Sequence, residues 1–158
     1  MQLMTYRITG LNPAPYRHLY GLSDEELAAQ GVVRMTVTAK PSFPCRVSLT
    51  DRDIGERVLL LNHISHDVAN PYRASHAIFV TEGAEAATEY VEEVPPVFGP
   101  RVLSLRGFDK DGMMTEAILT QPGEADAGIR KLFDNPEVET IHAHNATRGC
   151  FAAKIERN

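Results

Sequence analysis

Val138-Glu139-Thr140-Ile141-His142-Ala143-His144-Asn145 and Cys150-Phe151-Ala152-Ala153-Lys154-Ile155-Glu156 close the chain, and together they read as a β-hairpin. Strand side chains alternate between faces, so His142 and His144 project from the same side. A turn at Ala146–Gly149 sets Asn145 opposite Cys150, His144 opposite Phe151 and His142 opposite Ala153. Opposed residues share a face. Both histidines are therefore expected beside Phe151, Ala153 and Ile155, on the apolar side of a strand whose other side carries Lys154 and Glu156. Two accounts stay open: hydrogen-bonded packing residues, or rings lining a pocket around which the sheet curls.

Working outward, apolar residues at 125, 129, 132 and 133 give the preceding helix one apolar stripe, stopped by Asn135-Pro136. Arg101 to Phe108 and Met113 to Thr120 form a hairpin around Asp109-Lys110-Asp111-Gly112. Arg57 to Ile64 and Ala77 to Val80 are apolar on both faces, which predicts strands in the middle of a sheet. Val33, Met35 and Val37 alternate with polar residues, the pattern of a strand with one wet face. Ser23 and Glu26 form a capping box, with Leu22 and Leu27 at the staple positions and Gly31 as the stop, predicting a helix from about Asp24 to Gln30. Pro15 opens a single helical turn, Tyr6 to Ile8 is a short strand, and Ala84 to Tyr90 is compatible with a helix. The sum is one α+β domain over residues 1–158, with a mainly antiparallel or mixed sheet of about six to seven strands and about two to three short helices.

At 158 residues the chain suits one domain with its own core. Sixteen Lys and Arg against twenty-one Asp and Glu give a net charge of −5, which argues against nucleic-acid and anionic-membrane partners. Val58–Leu61 is the longest aliphatic run, far short of a membrane span. Met1–Gly10 shows no leader, so a cytosolic protein is expected, with Cys45 and Cys150 as thiols.

The candidate site residues are histidines and arginines. His76, His142 and His144 offer hydrogen bonds or proton transfer, since an unperturbed imidazole titrates near neutrality. Arg46 ends a proline-constrained loop, Arg73 precedes Ser75-His76 at a strand entry, and Arg106 sits among apolar residues. Guanidinium groups in such settings either pair internally, here with Asp51, Asp53 or Glu56, or bind a carboxylate or phosphate. A transition metal would draw on His142 and His144, with His63, His66, His76 or a cysteine completing the set. Calcium is not expected at Asp109–Gly112, because Thr120 stands where the final bidentate glutamate belongs. Nucleophilic chemistry at Cys150 would need His144 on the same face, which the plain register denies and one bulge would restore.

Phe43-Pro44-Cys45-Arg46, Gly55-Glu56-Arg57-Val58-Leu59-Leu60-Leu61, Pro71-Tyr72-Arg73-Ala74-Ser75-His76-Ala77-Ile78-Phe79-Val80 and Ile141-His142-Ala143-His144-Asn145 together resemble a bacterial family, the domain of unknown function numbered 1203. The similarity runs from Tyr6 to about Ile155 and implies a stand-alone cytosolic bacterial protein; it implies no reaction, substrate or catalytic residue. From the residues, the leading expectation is a pocket for a small anionic ligand. Arg46, Arg73, Ser75, Arg106 and Asn145 would bind it and His76, His142 and His144 would act on it, by acid–base chemistry or hydrolysis without an organic cofactor. The rivals are a non-catalytic interaction module, using a sheet edge or the Val94–Phe98 strip, and a metal-dependent enzyme built on His142 and His144.

Overall fold

The computed structural model describes residues 4–158; Met1–Leu3, where the reading of a leaderless start begins, lie outside the described residues. Among the described residues nine strands form two antiparallel sheets in a single α+β domain. The larger sheet has the expected size, six strands: β1 (Tyr6–Thr9), β5 (Glu89–Val91), β6 (Leu103–Phe108), β7 (Met114–Thr120), β8 (Thr140–Asn145) and β9 (Phe151–Arg157), in the order β5-β1-β9-β8-β6-β7. A second sheet joins β2 (Val33–Thr36), β3 (Arg57–His66) and β4 (Ala74–Thr81) in chain order. The helices are α1 (Asp24–Ala28) and α2 (Ala125–Phe133), with 3-10 turns at Ala14–Leu19 and Pro96–Phe98.

One face of the six-stranded sheet is apolar. Ile8, Leu105, Ile141, Ala143 and Ile155 meet Ile129, Leu132 and Phe133 of α2 in the main core, the stripe that the helix periodicity predicts. Gly128 lets α2 approach, since a Cβ there would lie 2.6 Å from Thr120 Cγ2. The second sheet has its own core, where Leu59, Leu61, Ile78 and Val80 pack on Leu19, Leu27, Cys45 and Val47. The capping box of α1 forms in both directions, Ser23 with Glu26, and steers Leu27 into this core.

Four expectations change. The closing hairpin carries a bulge between Ala143 and His144, so His144 faces Phe151 as expected but His142 faces Lys154, not Ala153. The inserted residue turns Ala153 and Ile155 to the helix-covered face with Ile141 and Ala143. β4 is an edge strand and not a central one. Its apolar outer side is protected by the loop at Cys45, which bridges to Phe79, with Arg46 N–H donating to the Phe79 carbonyl at 2.9 Å. Residues 84–90 form no helix, because the open edge of β1 captures Glu89–Val91 as β5. The Val94–Phe98 strip is not an exposed surface, since Val97 and Phe98 are buried in the main core.

Candidate functional site

The bulge leaves His142 and His144 on the face away from α2, and the second sheet covers that face. His63 and His76 are directly opposed on β3 and β4, hence on one side of their sheet. The two sets of rings meet between the sheets. His76 stacks edge-on against His144 at 4.8 Å, His66 against His142 at 5.0 Å, and His63 lies 5.9 Å from Phe151. The imidazoles that strand alternation groups together thus turn to different partners. Among the described residues no group of three or more His, Cys, Asp or Glu side chains is placed to hold a metal ion.

Hydrogen bonding sets the roles of several rings. His144 Nδ1 lies 2.9 Å from the Gly149 carbonyl and must donate to it. Ser65 Oγ lies 2.7 Å from His76 Nδ1 and 3.3 Å from the Ala74 carbonyl, so its single hydrogen serves one or the other according to the His76 tautomer. When neutral, His144 keeps Nε2 as an acceptor. Tyr16 lies within hydrogen-bonding distance of His63 Nδ1 at 2.7 Å. His142 is 4% exposed and has no hydrogen bond among the described residues.

Burial holds these imidazoles neutral. It drives His142 down to about 3, helped by repulsion from His66, His144, Lys154 and Arg106. His144 falls to about 4 by burial, against the opposing pull of its Gly149 hydrogen bond. His63 is lowered by burial and by His76, and His76 by burial and by Arg106 and Arg46. The near-neutral titration expected from unperturbed imidazoles therefore does not apply to His142 and His144.

Beside this cluster a cleft of about 860 Å³ opens between the edge of β4, the Pro44–Arg46 loop and the turn after β8. Of the residues singled out in the sequence, Arg46, Ser75, His76 and Asn145 line it. His144 stands against His76, outside the lining. Arg106, its Nε donating to Ser104 Oγ at 3.2 Å, lies near the histidines without an ion pair among the described residues. Arg73 does not join them; it is exposed and pairs with Asp67 at 3.3 Å. Residue-by-residue reading also passes over Arg148, which sits at the cleft in the connection between β8 and β9. Its only signal was its position in a loop held by rigid strands.

Arg46 is the unusual member. It is 3% exposed, and its donors reach the carbonyls of Phe151 (2.8 Å) and Pro44 (2.7 Å) and Cys150 Sγ (3.3 Å). None is a carboxylate. The acids considered as internal partners serve other cations: Asp51 takes Arg101, Asp53 takes Lys40 and Glu56 takes Arg52. Asn145 donates to the same sulfur at 3.3 Å, while its Oδ1 is buried without a partner. Cys150 thus receives two N–H groups and no imidazole, so the Cys–His pairing considered for nucleophilic chemistry does not form.

Residues 42–157 match the family described as protein of unknown function, DUF1203. The chain belongs to this family. The match begins later than the expected Tyr6, and it takes in every residue of the DUF1203 cleft named above. No curated protein and no solved structure matches the chain. Among the described residues of this DUF1203 protein, no helix is long and apolar enough to cross a membrane.

Proposed function

We propose that the cleft beside β4 binds a small anionic ligand, with Arg46 supplying the charge that selects it. The observation carrying this reading is a guanidinium removed from water with no carboxylate beside it. A buried charge is costly unless it is paired, and carbonyl oxygens give it hydrogen bonds but no countercharge. The surroundings support the same sign. The chain carries twenty-one Asp and Glu, yet none lines the cleft, whereas Arg46, Arg101, Arg148 and His76 do. Arg101 is already paired with Asp51, leaving Arg46, Arg148 and His76 for the ligand. Ser75 adds a hydroxyl donor at the cleft, and Asn145 borders it.

His76 is the proton-transfer residue in this reading, because of the three candidate histidines it alone lines the cleft. His144 buttresses it, and His142 sits deeper against His66. The groups that govern His76 are Arg46, Arg106, His63, His144 and Ser65. An anion offsets the repulsion from the two arginines, so His76 takes up a proton more readily with the ligand bound, and affinity for an anion of fixed charge rises as pH falls toward neutrality and below. Acid–base or hydrolytic chemistry on the bound anion, in a bacterial cytoplasm that keeps Cys45 and Cys150 as thiols, completes the proposal.

Calorimetric titration with inorganic phosphate and with acetate, at pH 6 and pH 8, tests it. Acetate, whose own charge is fixed over this range, is expected to bind more tightly at pH 6 than at pH 8, while phosphate tests anion binding as such. His76→Gln should remove the pH dependence of acetate binding, and Arg148→Gln should weaken binding of both anions about threefold to tenfold, as loss of one exposed cationic contact does. Absence of binding by either anion, in protein that melts cooperatively, overturns the reading.

A further inference from the structure

The ligand's second half is written in the sheet that borders the cleft. Leu60 of β3 is directly opposed to Phe79 of β4 and to Val33 of β2. Opposed and next-but-one residues share a face, so Val33, Met35, Leu60, Ala77 and Phe79 lie on one side of the three-stranded sheet. It is the side away from Leu59, Leu61, Ile78 and Val80, which bury themselves in the second core. At one end of this face Val37 is buried with Phe43 and Val58, and Met35 and Phe79 pack against them, whereas Val33 is 53% exposed and Met35, Leu60 and Phe79 remain only partly buried. Met35, Leu60, Ala77 and Phe79 all line the cleft that holds Arg46.

Isolated exposed apolar residues need no explanation, but a continuous apolar wall ending at an unpaired cation does. The space also exceeds what an inorganic anion fills, lying within the roughly 300–1,000 Å³ usual for organic ligands. Resting on the anion-binding reading, we infer that the ligand is amphipathic: an anionic head, phosphate or carboxylate, seated toward Arg46 and Arg148, with an aromatic or branched aliphatic body laid on Leu60, Phe79 and Met35. Charge selects one end, and water-excluding contact with the sheet face holds the other.

Inorganic phosphate, phenyl phosphate and benzyl alcohol, titrated separately into the intact chain, separate this inference from the reading beneath it. Phenyl phosphate is expected to bind about tenfold more tightly than inorganic phosphate, the gain expected from burying most of one ring. Leu60→Ser should reduce that ratio to about twofold or less while leaving inorganic phosphate unchanged. Met35→Ser, on the edge strand, repeats the test should Leu60→Ser fail to melt cooperatively. Equal affinity for the two phosphates in the unmodified protein overturns the amphipathic ligand and leaves the anion site intact. Benzyl alcohol binding as tightly as phenyl phosphate also overturns it, since the head would then contribute nothing. Binding of none of the three removes both readings.

Discussion

His142 and Ala143 are neighbours in one strand, and the two interiors they enter differ in kind. Ala143 joins Ile141, Ile155 and the α2 stripe in an apolar core. His142 and His144 enter the space between the sheets, where five of the six histidines approach one another or Phe151. The first interior is what a stable domain requires. The second lowers stability for its size, because imidazoles are held neutral and a guanidinium is desolvated there. Hydrophobic residues of similar volume would fill that space at lower cost. The difference teaches that the two interiors answer to different constraints, and the proposed ligand cleft adjoins the costlier one.

The largest expected effect breaks the apolar side. Ile129→Ala, at a fully buried position, should cost about 2–5 kcal/mol in denaturant unfolding while leaving phosphate affinity unchanged. A loss of affinity matching the loss of stability would show that the two interiors are not separable.

Acid separates them next. Below about pH 6.5 the unfolded chain protonates its histidines, whereas folded His142 and His144 stay neutral down to about 3 and about 4. The unfolded state then binds more protons, so stability falls as pH falls from about 6.5 through the folded values. His142 has no hydrogen bond to lose, so His142→Leu should retain more of its stability at pH 4.5 than the parent does, by on the order of 1–3 kcal/mol. Parallel pH–stability curves for the two proteins would contradict the account of His142 as a buried neutral imidazole.

The smallest effect sharpens the boundary of the site. Arg73→Ala removes an exposed pair with Asp67 and should change stability by less than about 0.5 kcal/mol, with no change in anion affinity. A tenfold loss of affinity would place Arg73 back among the ligand's contacts.

Much of the fold was legible because its signals are local. The capping box of Ser23 and Glu26, the apolar stripe of α2 and the turn at Asp109–Gly112 each act within a few residues, and all three appear where the pattern puts them. Failures arose where a distant segment intervened. β1 captured Glu89–Val91, and the Cys45 loop shielded an edge strand whose two apolar faces imitate a central one. At the site, four of the eight candidate residues line the cleft. Arg46 and Arg73 look alike in sequence, and only the position of Asp67 and the distance of every acid from Arg46 tell them apart.

Residue order alone determined the class of the fold, most of its elements and the residue types available for chemistry, since propensity, capping and alternation are read over one or two turns of chain. Tertiary structure decided that a single inserted residue at the β8–β9 bulge sends Ala153 and Ile155 to the helix side, that a second sheet covers the histidines, and which buried guanidinium is left without an acid. The reason is that a charge's partner and a ring's neighbours come from segments far apart in the chain, whose approach depends on the packing of both cores together.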